Sequence, residues 1–287
     1  MLIFPEIVFE GASNGLILWF QIILPTLLPF LILSSLLINT PAIHLLVKFT
    51  SPLFCRLFGV TKYGSFAVLC GFLCGYPMGG KVTSDLLNSN KITLTEAKYL
   101  LSFCNNTSPM FIISYVMHQS LQASHLIFPA LAILFLSPVN FYPISYKSYD
   151  TTNNDLNSKN IEKSSLLDEC IMKSFETITK IGGYIIIFSI CTHLISALPV
   201  TNSIMHLLLI PFLEITTGVL SLSQSLISFQ DKFIIILSLI SFGGWCSIAQ
   251  TRCIISDAGI PLFTYIIEKL ITSAVTSLLA SVFFKLY

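Results

Sequence analysis

Four short polar segments interrupt apolar stretches of the sequence, and they hold the side chains that could bind a solute. The first segment contains Gly75, Tyr76, Pro77, Gly79 and Lys81, and the second contains Asn105, Asn106, Thr107 and Ser108. The third contains Glu214, Thr216 and Thr217, and the fourth contains Ser241, Gly243 and Gly244, with Gln250 shortly after. Amide and hydroxyl groups donate and accept hydrogen bonds, and lysine adds a positive charge. These groups suit the binding of a small polar or anionic solute.

Lys81 is the charged residue closest to the first glycine segment. It begins a helical stretch in which Asp85 lies one turn further along the same face. Its ammonium could therefore face a substrate anion or pair with a carboxylate. In the alternative interpretation, the long side chain extends to the membrane interface and caps a surface turn.

Glu214 is an acidic residue flanked on both sides by apolar ones. A carboxylate is costly to bury in lipid and is therefore a functional hypothesis by default. With Thr216 and Thr217, it could couple transport to protons or sodium ions, or it could pair with Lys81. The alternative is a structural salt bridge.

The remaining polar groups of the apolar stretches have plainer interpretations. The amides and hydroxyls of residues 105–108 could line a substrate site, or they could hold neighbouring helices together through hydrogen bonds. Two charged pairs are expected near the ends of membrane spans, where water is accessible. These pairs are Glu96 with Lys98 and Glu268 with Lys269.

The composition indicates that a lipid bilayer surrounds these segments. The 287 residues are 54% hydrophobic and 10% charged, with a net charge of +1 and a mean hydropathy of +0.82. Soluble domains carry about 25% charged residues. The near-balance of charges offers no basic surface for nucleic acid. A membrane helix needs about 20 apolar residues, and the predicted spans are 15–38, 93–117, 121–139, 176–199 and 261–285.

Two further apolar stretches, 64–88 and 231–256, are broken by glycines. Each half is too short to cross a bilayer, so we predict that both stretches fold back as re-entrant hairpins. Non-helical backbone at membrane depth must be enclosed by protein or by a water-filled cavity. The two hairpin tips, with the breaks at 105–109 and 214–218, therefore predict one enclosed polar site.

A polar linker, 141–165, divides the chain into halves over 1–140 and 166–287. Basic residues follow the first span and occupy the linker, at Lys48, Arg56, Lys62, Lys147, Lys159 and Lys163. The positive-inside rule then places the N-terminus outside and the linker in the cytoplasm. With three crossings in the first half, the second half is inverted relative to it. Inverted repeats of this kind build many secondary transporters.

Signatures of metal binding and of common enzymes are sparse. The sequence contains neither the HExxH motif of zinc proteases nor the phosphate-binding GxxxxGK[ST] motif. Its eight cysteines lack paired CxxC spacing, so we interpret them as small buried hydrophobic residues and not as metal ligands or disulfides. We therefore expect no enzyme activity, no metal and no cofactor.

Two motifs carry a resemblance to a known family. The stretch from Gly71 to Lys81, which reads GFLCGYPMGGK, followed by LLSFCNNTSP up to Pro109, resembles the Gate (nucleoside-recognition) domain proteins. Within that family it is most similar to the sporulation integral membrane proteins. In the second half, residues 213–218 and 241–244 with Gln250 are similar to a second Gate unit. Trp245 departs from the pattern, because a small residue usually stands there and a bulky one would narrow a cavity.

The resemblance implies both a fold and a function. The fold is an all-α polytopic membrane protein with two inverted repeats, each carrying a re-entrant helical hairpin, similar to the core of concentrative nucleoside transporters. The implied function is transport of dipicolinate, a small aromatic dicarboxylate, towards the developing spore. The membrane would be of the cytoplasmic type, including a forespore membrane, and a homo-oligomer is compatible with the sequence. The alternative is a non-transporting scaffold or regulator of spore cortex formation.

Overall fold

The protein is represented by a computed structural model that describes residues 4–137, 163–197 and 209–287. Most of the predicted linker, 141–165, lies outside the described residues, and so does the segment 198–208. The described residues form helices joined by short connections, without strands. The proposed division into domains is therefore not tested by the structure.

The described helices are numbered in chain order. In the first half they are α1 (Pro5–Asn39), α2 (Ile43–Phe58), α3 (Lys62–Cys74), α4 (Met78–Asn88), α5 (Leu94–Cys104), α6 (Phe111–Ser120) and α7 (Ile127–Leu136). In the second half they are α8 (Lys163–Ser196), α9 (Ile215–Gln224), α10 (Phe229–Phe242), α11 (Gly244–Ile255) and α12 (Leu262–Leu286), with a short helix over 209–213 before α9. Helix α1 contains a π-helical turn, and α6 is π-helical throughout.

Several helices are long and apolar enough to cross a membrane. Among the described residues there are four, Pro5–Asn39, Leu166–Ser196, Phe229–Ala258 and Leu262–Leu286. Helices α2 and α3 meet at 89° and would add a fifth span if they count as one bent unit. The predicted spans 15–38 and 261–285 are thus confirmed as parts of long apolar helices, and so is 176–199 as far as Ser196. The described part of 121–139 is shorter, with its apolar helix over Ser124–Leu136.

Helices α1 and α8 form an extensive antiparallel pair. Gly11 faces Ile190, Gly15 faces Ile186, and Trp19 lies over Gly182, so one helix ascends as the other descends. Small residues let two backbones approach closely where no side chain intervenes. The opposed directions of the first long helix in each half are what an inverted repeat requires. The repeat itself stays a prediction.

The same glycines complete a Gly-x-Ser-x-Gly pattern around Ser13. In hydrolases this pattern marks a nucleophile on a sharp turn between a strand and a helix. Here it lies inside α1, where Gly11 and Gly15 leave room for the α8 backbone. The pattern therefore serves helix packing at this position.

The first glycine break reverses the chain, as the sequence predicts for 64–88. Thr61 caps the start of α3 by accepting a hydrogen bond from the Gly64 N–H at 3.2 Å. Helix α3 ends at Gly75, whose φ of +75° is unfavourable for residues with a side chain. Helix α4 begins three residues later, at Met78, and packs back along α3. The result is a helical hairpin with its tip at residues 75–77.

The second glycine break does not reverse the chain, so the prediction of a hairpin over 231–256 is wrong. Helices α10 and α11 continue across the break as one interrupted apolar helix of 30 residues, Phe229–Ala258. Gly243 and Gly244 both have positive φ values, of +91° and +76°. The glycines interrupt the helix there without turning it back.

Contacts with α12 show why the chain continues in one direction. Ser238 of α10 lies 2.9 Å from Ser273, hydroxyl to hydroxyl. Thr251 of α11 and Tyr265 of α12 both accept hydrogen bonds from the Asn105 amide. From residue 238 to residue 251 the chain therefore advances along α12 towards its N-terminus. Packing against α12 holds both halves of the interrupted helix in line.

Two apolar cores lie on either side of the helix breaks. One core is built mainly from α1 to α5, α8 and α11, and the other from α6, α7, α9 and α10. The chain passes between them at the break after α5, since Cys104 belongs to the first core and Ile112 to the second. Helix α10 crosses the same boundary, between Ile240 and Phe242. The breaks therefore place polar backbone between two apolar layers.

Candidate binding site at the helix breaks

Asn105 connects three other helices at the end of α5. Its carbonyl oxygen accepts a hydrogen bond from the Gly80 N–H of α4 at 3.1 Å. Its amide nitrogen donates to the Thr251 hydroxyl of α11 at 3.0 Å and to the Tyr265 hydroxyl of α12 at 2.8 Å. The side chain is fully buried. Both amide hydrogens are thus used, and the carboxyamide joins both halves of the chain.

Asn106 joins the hairpin tip to α12. Its backbone carbonyl accepts a hydrogen bond from the Tyr76 N–H at 2.7 Å, and its amide donates to the Phe103 carbonyl at 2.8 Å. Its side-chain oxygen accepts a hydrogen bond from the Lys269 ammonium. The ammonium also lies 5.6 Å from the centre of the Tyr265 ring, within range of a cation–π interaction.

The position of Lys269 corrects the sequence-based expectation for Glu268 and Lys269. Lys269 is only 1% exposed and lies in the interior, not near the end of a span. A periodic signal in the sequence could have revealed this, because buried polar residues recur on one face of α12. They are Tyr265, Lys269, Thr272 and Thr276. Helical spacing of three to four residues places such a set on one stripe.

Thr107 and Ser108 have separate roles. The Thr107 hydroxyl donates to the Ile240 carbonyl of α10 at 2.7 Å, across the boundary between the two cores. The Ser108 hydroxyl instead accepts a hydrogen bond from the Phe111 N–H at 3.3 Å and caps the start of α6. The side chains of Asn105, Asn106 and Thr107 thus form hydrogen bonds with other helices, whereas Ser108 only caps the helix that follows it.

Tyr76 brings the first hairpin tip against the second glycine break. A methyl group added at Gly243 would lie 3.7 Å from the edge of the Tyr76 ring. The Tyr76 hydroxyl is buried and has no hydrogen-bond partner among the described residues. Thr107 lies near it, outside hydrogen-bond geometry. An unpaired buried hydroxyl costs free energy, and a bound ligand or water could satisfy it.

Glu214 caps its own helix. Its two carboxylate oxygens accept hydrogen bonds from the Thr216 N–H at 2.9 Å and from the Thr217 N–H at 2.8 Å, and the Thr217 hydroxyl adds a third at 2.9 Å. A carboxylate at a helix N-terminus also interacts favourably with the helix dipole. Glu214 is therefore satisfied without Lys81, and the proposed pairing of these two residues is wrong.

Lys81 forms an ion pair with Asp85 one turn along α4. The side chains are 17% and 22% exposed, so the pair lies at the margin of the described structure. Lys81 thus pairs with a carboxylate of its own helix, which is one of the roles that the sequence suggests for it. Its neighbours Gly79 and Gly80 face the α5 break instead, against Cys104 and Asn105.

The remaining predicted residues lie around the second glycine break. The Ser241 hydroxyl donates to the Ser238 carbonyl at 2.8 Å, within α10. The Gln250 amide lies 3.2 Å from the Cys246 sulfur, within α11. Trp245 is 45% exposed, so its ring lies outside the interior and does not narrow a central cavity. Thr251, which the sequence analysis missed, is the residue of α11 that contacts Asn105.

We call Asn105, Asn106, Thr251, Tyr265 and Lys269 the polar centre. These five buried side chains come from α11, α12 and the α5 break, and they lie beside the hairpin tip. They offer amide, hydroxyl and ammonium groups, which are suited to binding oxygen atoms of an anion. Among the described residues, no three His, Cys, Asp or Glu side chains form a group that could hold a metal ion.

The long apolar helices and the enclosed polar centre define the chain as a multi-pass helical membrane protein. It is 27% identical, over 321 aligned positions, to the sporulation integral membrane protein YlbJ of Bacillus subtilis (strain 168). The alignment covers 98% of this chain and 78% of that relative. No family model and no solved structure matches the chain. The Gate family and the likeness to nucleoside transporters therefore stay predictions.

Proposed function

We propose that the protein transports a small organic anion across a membrane of a sporulating cell. The polar centre is the observation that carries this proposal. Buried polar and charged groups inside membrane helices are costly and mark solute pathways in many transporters. Here they gather where a hairpin tip meets a broken helix. The sporulation setting is supported by the relative from Bacillus subtilis, which is named a sporulation integral membrane protein.

Dipicolinate is the substrate we propose, on the resemblance to the sporulation branch of the Gate family. Its two carboxylates carry the negative charge, and their oxygens and the ring nitrogen accept hydrogen bonds. The polar centre supplies a complementary positive charge in the Lys269 ammonium, beside the buried and unpartnered Tyr76 hydroxyl of the hairpin tip. We propose movement towards the developing spore, with the N-terminus outside and the linker in the cytoplasm.

The proposed route of access follows from how the helices are connected. The α1–α8 pair is a long, closely packed unit. The α3–α4 hairpin contacts the α5 break through the Tyr76 N–H and the Gly80 N–H. Movement of this hairpin against the remaining helices would open the polar centre to one side at a time. Alternating access of this kind is the general mechanism of secondary transporters.

Uptake by proteoliposomes tests the proposed function. The purified protein should accumulate labelled dipicolinate, and Asn105→Ala should reduce the initial rate at least tenfold. Asn14→Ala is the matched control, because Asn14 is an amide of α1 that contacts His193 away from the polar centre. Its uptake should equal that of the wild type. If the wild-type protein takes up no dipicolinate, and spores lacking it contain normal dipicolinate, the scaffold alternative replaces this proposal.

A topology reporter tests the proposed orientation separately. A reporter enzyme that is active only in the cytoplasm, fused at position 154 within the linker, should show activity. An external signal would contradict the inverted arrangement of the two halves without bearing on uptake.

A further inference from the structure

We propose that Lys269 supplies the positive charge that binds the anion, and that Asn106 holds its ammonium while the site is empty. This inference rests on the proposed function but assigns a residue and a state that the function does not require. Within the described part of the chain, the ammonium donates a hydrogen bond to a neutral amide oxygen and lies over an aromatic ring. An incoming carboxylate would replace that amide oxygen as its partner.

Burial is the first argument for this assignment. Lys269 is 1% exposed, and an isolated ammonium is strongly destabilised in a low-dielectric interior. Among the described residues no carboxylate lies within salt-bridge distance of it. The preceding residue, Glu268, is half-buried and attracts the ammonium only from beyond salt-bridge distance. The lysine therefore has an unmet requirement for a counter-charge.

The surrounding donors are the second argument. The Tyr76 hydroxyl is buried without a hydrogen-bond partner among the described residues, and Thr107, Tyr265 and the Glu214 carboxylate, whose oxygens accept hydrogen bonds within its own helix, lie around it. Tyr265 also borders the Lys269 ammonium. An oxyanion with several acceptor atoms could take a hydrogen bond from this hydroxyl and the charge of Lys269. The chemistry points to a small carboxylate and not to a neutral solute.

The other lysine near the glycine segment differs in this respect. Lys81 is already neutralised by Asp85 and is partly exposed. Its charge is therefore not available to a ligand unless the pair is broken. Of these two lysines, Lys269 is therefore the one whose charge is not neutralised by an ion pair among the described residues.

Binding and uptake by charge variants test the inference. In detergent, the wild-type protein should bind dipicolinate, as measured by isothermal titration calorimetry. Lys269→Gln should raise the dissociation constant at least tenfold. Lys269→Arg keeps the charge and should retain measurable binding. Lys180→Gln is the matched control, because Lys180 is paired with Glu176 on the outer face of α8. Its dissociation constant should stay within twofold of the wild type.

Asn106→Asp keeps the test decisive if Lys269→Gln fails to fold. A carboxylate at position 106 would pair with Lys269 permanently, so the protein should fold but lose at least tenfold in dipicolinate affinity. Wild-type affinity in either Lys269→Gln or Asn106→Asp would overturn the assignment. Binding that depends on Lys269 without any uptake would sustain the assignment while contradicting transport.

Discussion

The two breaks in the membrane helices satisfy their polar groups in opposite ways. At the break after α5, residues 105–109, Asn105 and Thr107 form hydrogen bonds with other helices. At the break before α9, the Glu214 carboxylate accepts hydrogen bonds from the helix that follows it and caps that helix. A break in a helix is therefore not a binding site by itself. It becomes a candidate binding site when its polar groups face other helices and a nearby buried polar or charged group lacks a partner that a ligand could supply.

Asn105→Ala should have the largest effect on stability. The Gly80 N–H would lose its acceptor inside the protein, and a buried unsatisfied donor costs about 1 to 3 kcal/mol. With the lost contacts to Thr251 and Tyr265, we expect destabilisation of about 3 kcal/mol, since several hydrogen bonds end together. Denaturant unfolding in detergent measures it.

The control for this prediction is again Asn14→Ala, which should change the free energy of unfolding by less than about 0.5 kcal/mol, as for most outward-facing positions. Equal stability of both alanine variants would show that Asn105 does not connect the two halves. The distinction between the two breaks would then disappear.

Glu214→Ala should have the second largest effect. Loss of an N-cap costs about 0.5 to 2 kcal/mol. Glu214→Ser, which can accept a hydrogen bond from the same helix N-terminus, should recover most of that loss and retain uptake. If Glu214 couples transport to an ion instead, the serine variant will fold but lose its response to a sodium or proton gradient. Uptake with and without imposed gradients separates the two roles.

Lys81→Gln should have the smallest effect. The Lys81–Asp85 pair is partly exposed and lies within one helix, and pairs of this kind contribute at most about 1 kcal/mol. A double-mutant cycle with Asp85→Asn measures the interaction energy directly. Uptake abolished by Lys81→Gln, with the protein still folded, would assign Lys81 to the binding site as the sequence first suggested.

Much of the fold could be predicted, because hydrophobic length is a local property. The apolar stretches 15–38 and 261–285, and 176–199 as far as Ser196, lie in long helices. The chain reversal at the first glycine break agrees with the prediction, while re-entry of that hairpin into a membrane stays a prediction. The second stretch does not fold back. Glycines permit a break in either case, and only the packing partner decides the direction that follows. Helix α10 and helix α11 both lie along α12, so the chain continues.

The candidate site was predicted in part. Asn105, Asn106 and Thr107 lie where the sequence suggested, because polar residues in an apolar span must find partners. Glu214 was flagged for the same reason, yet its partners are the N–H groups of its own helix. Lys269 was missed because it appeared beside Glu268 as an ordinary charged pair. Which charged residue becomes buried depends on how the helix is rotated.

The sequence by itself determined that this is a membrane protein, where its helices break, and which polar residues need partners. These properties follow from the cost of placing polar groups and free backbone in lipid, which composition and spacing reveal. Only the tertiary structure decided which partners those residues have. Hydrogen bonds such as those of Asn105 with Thr251 and Tyr265 join residues far apart in the chain. Helix rotation and packing bring such residues together, and no local pattern specifies them.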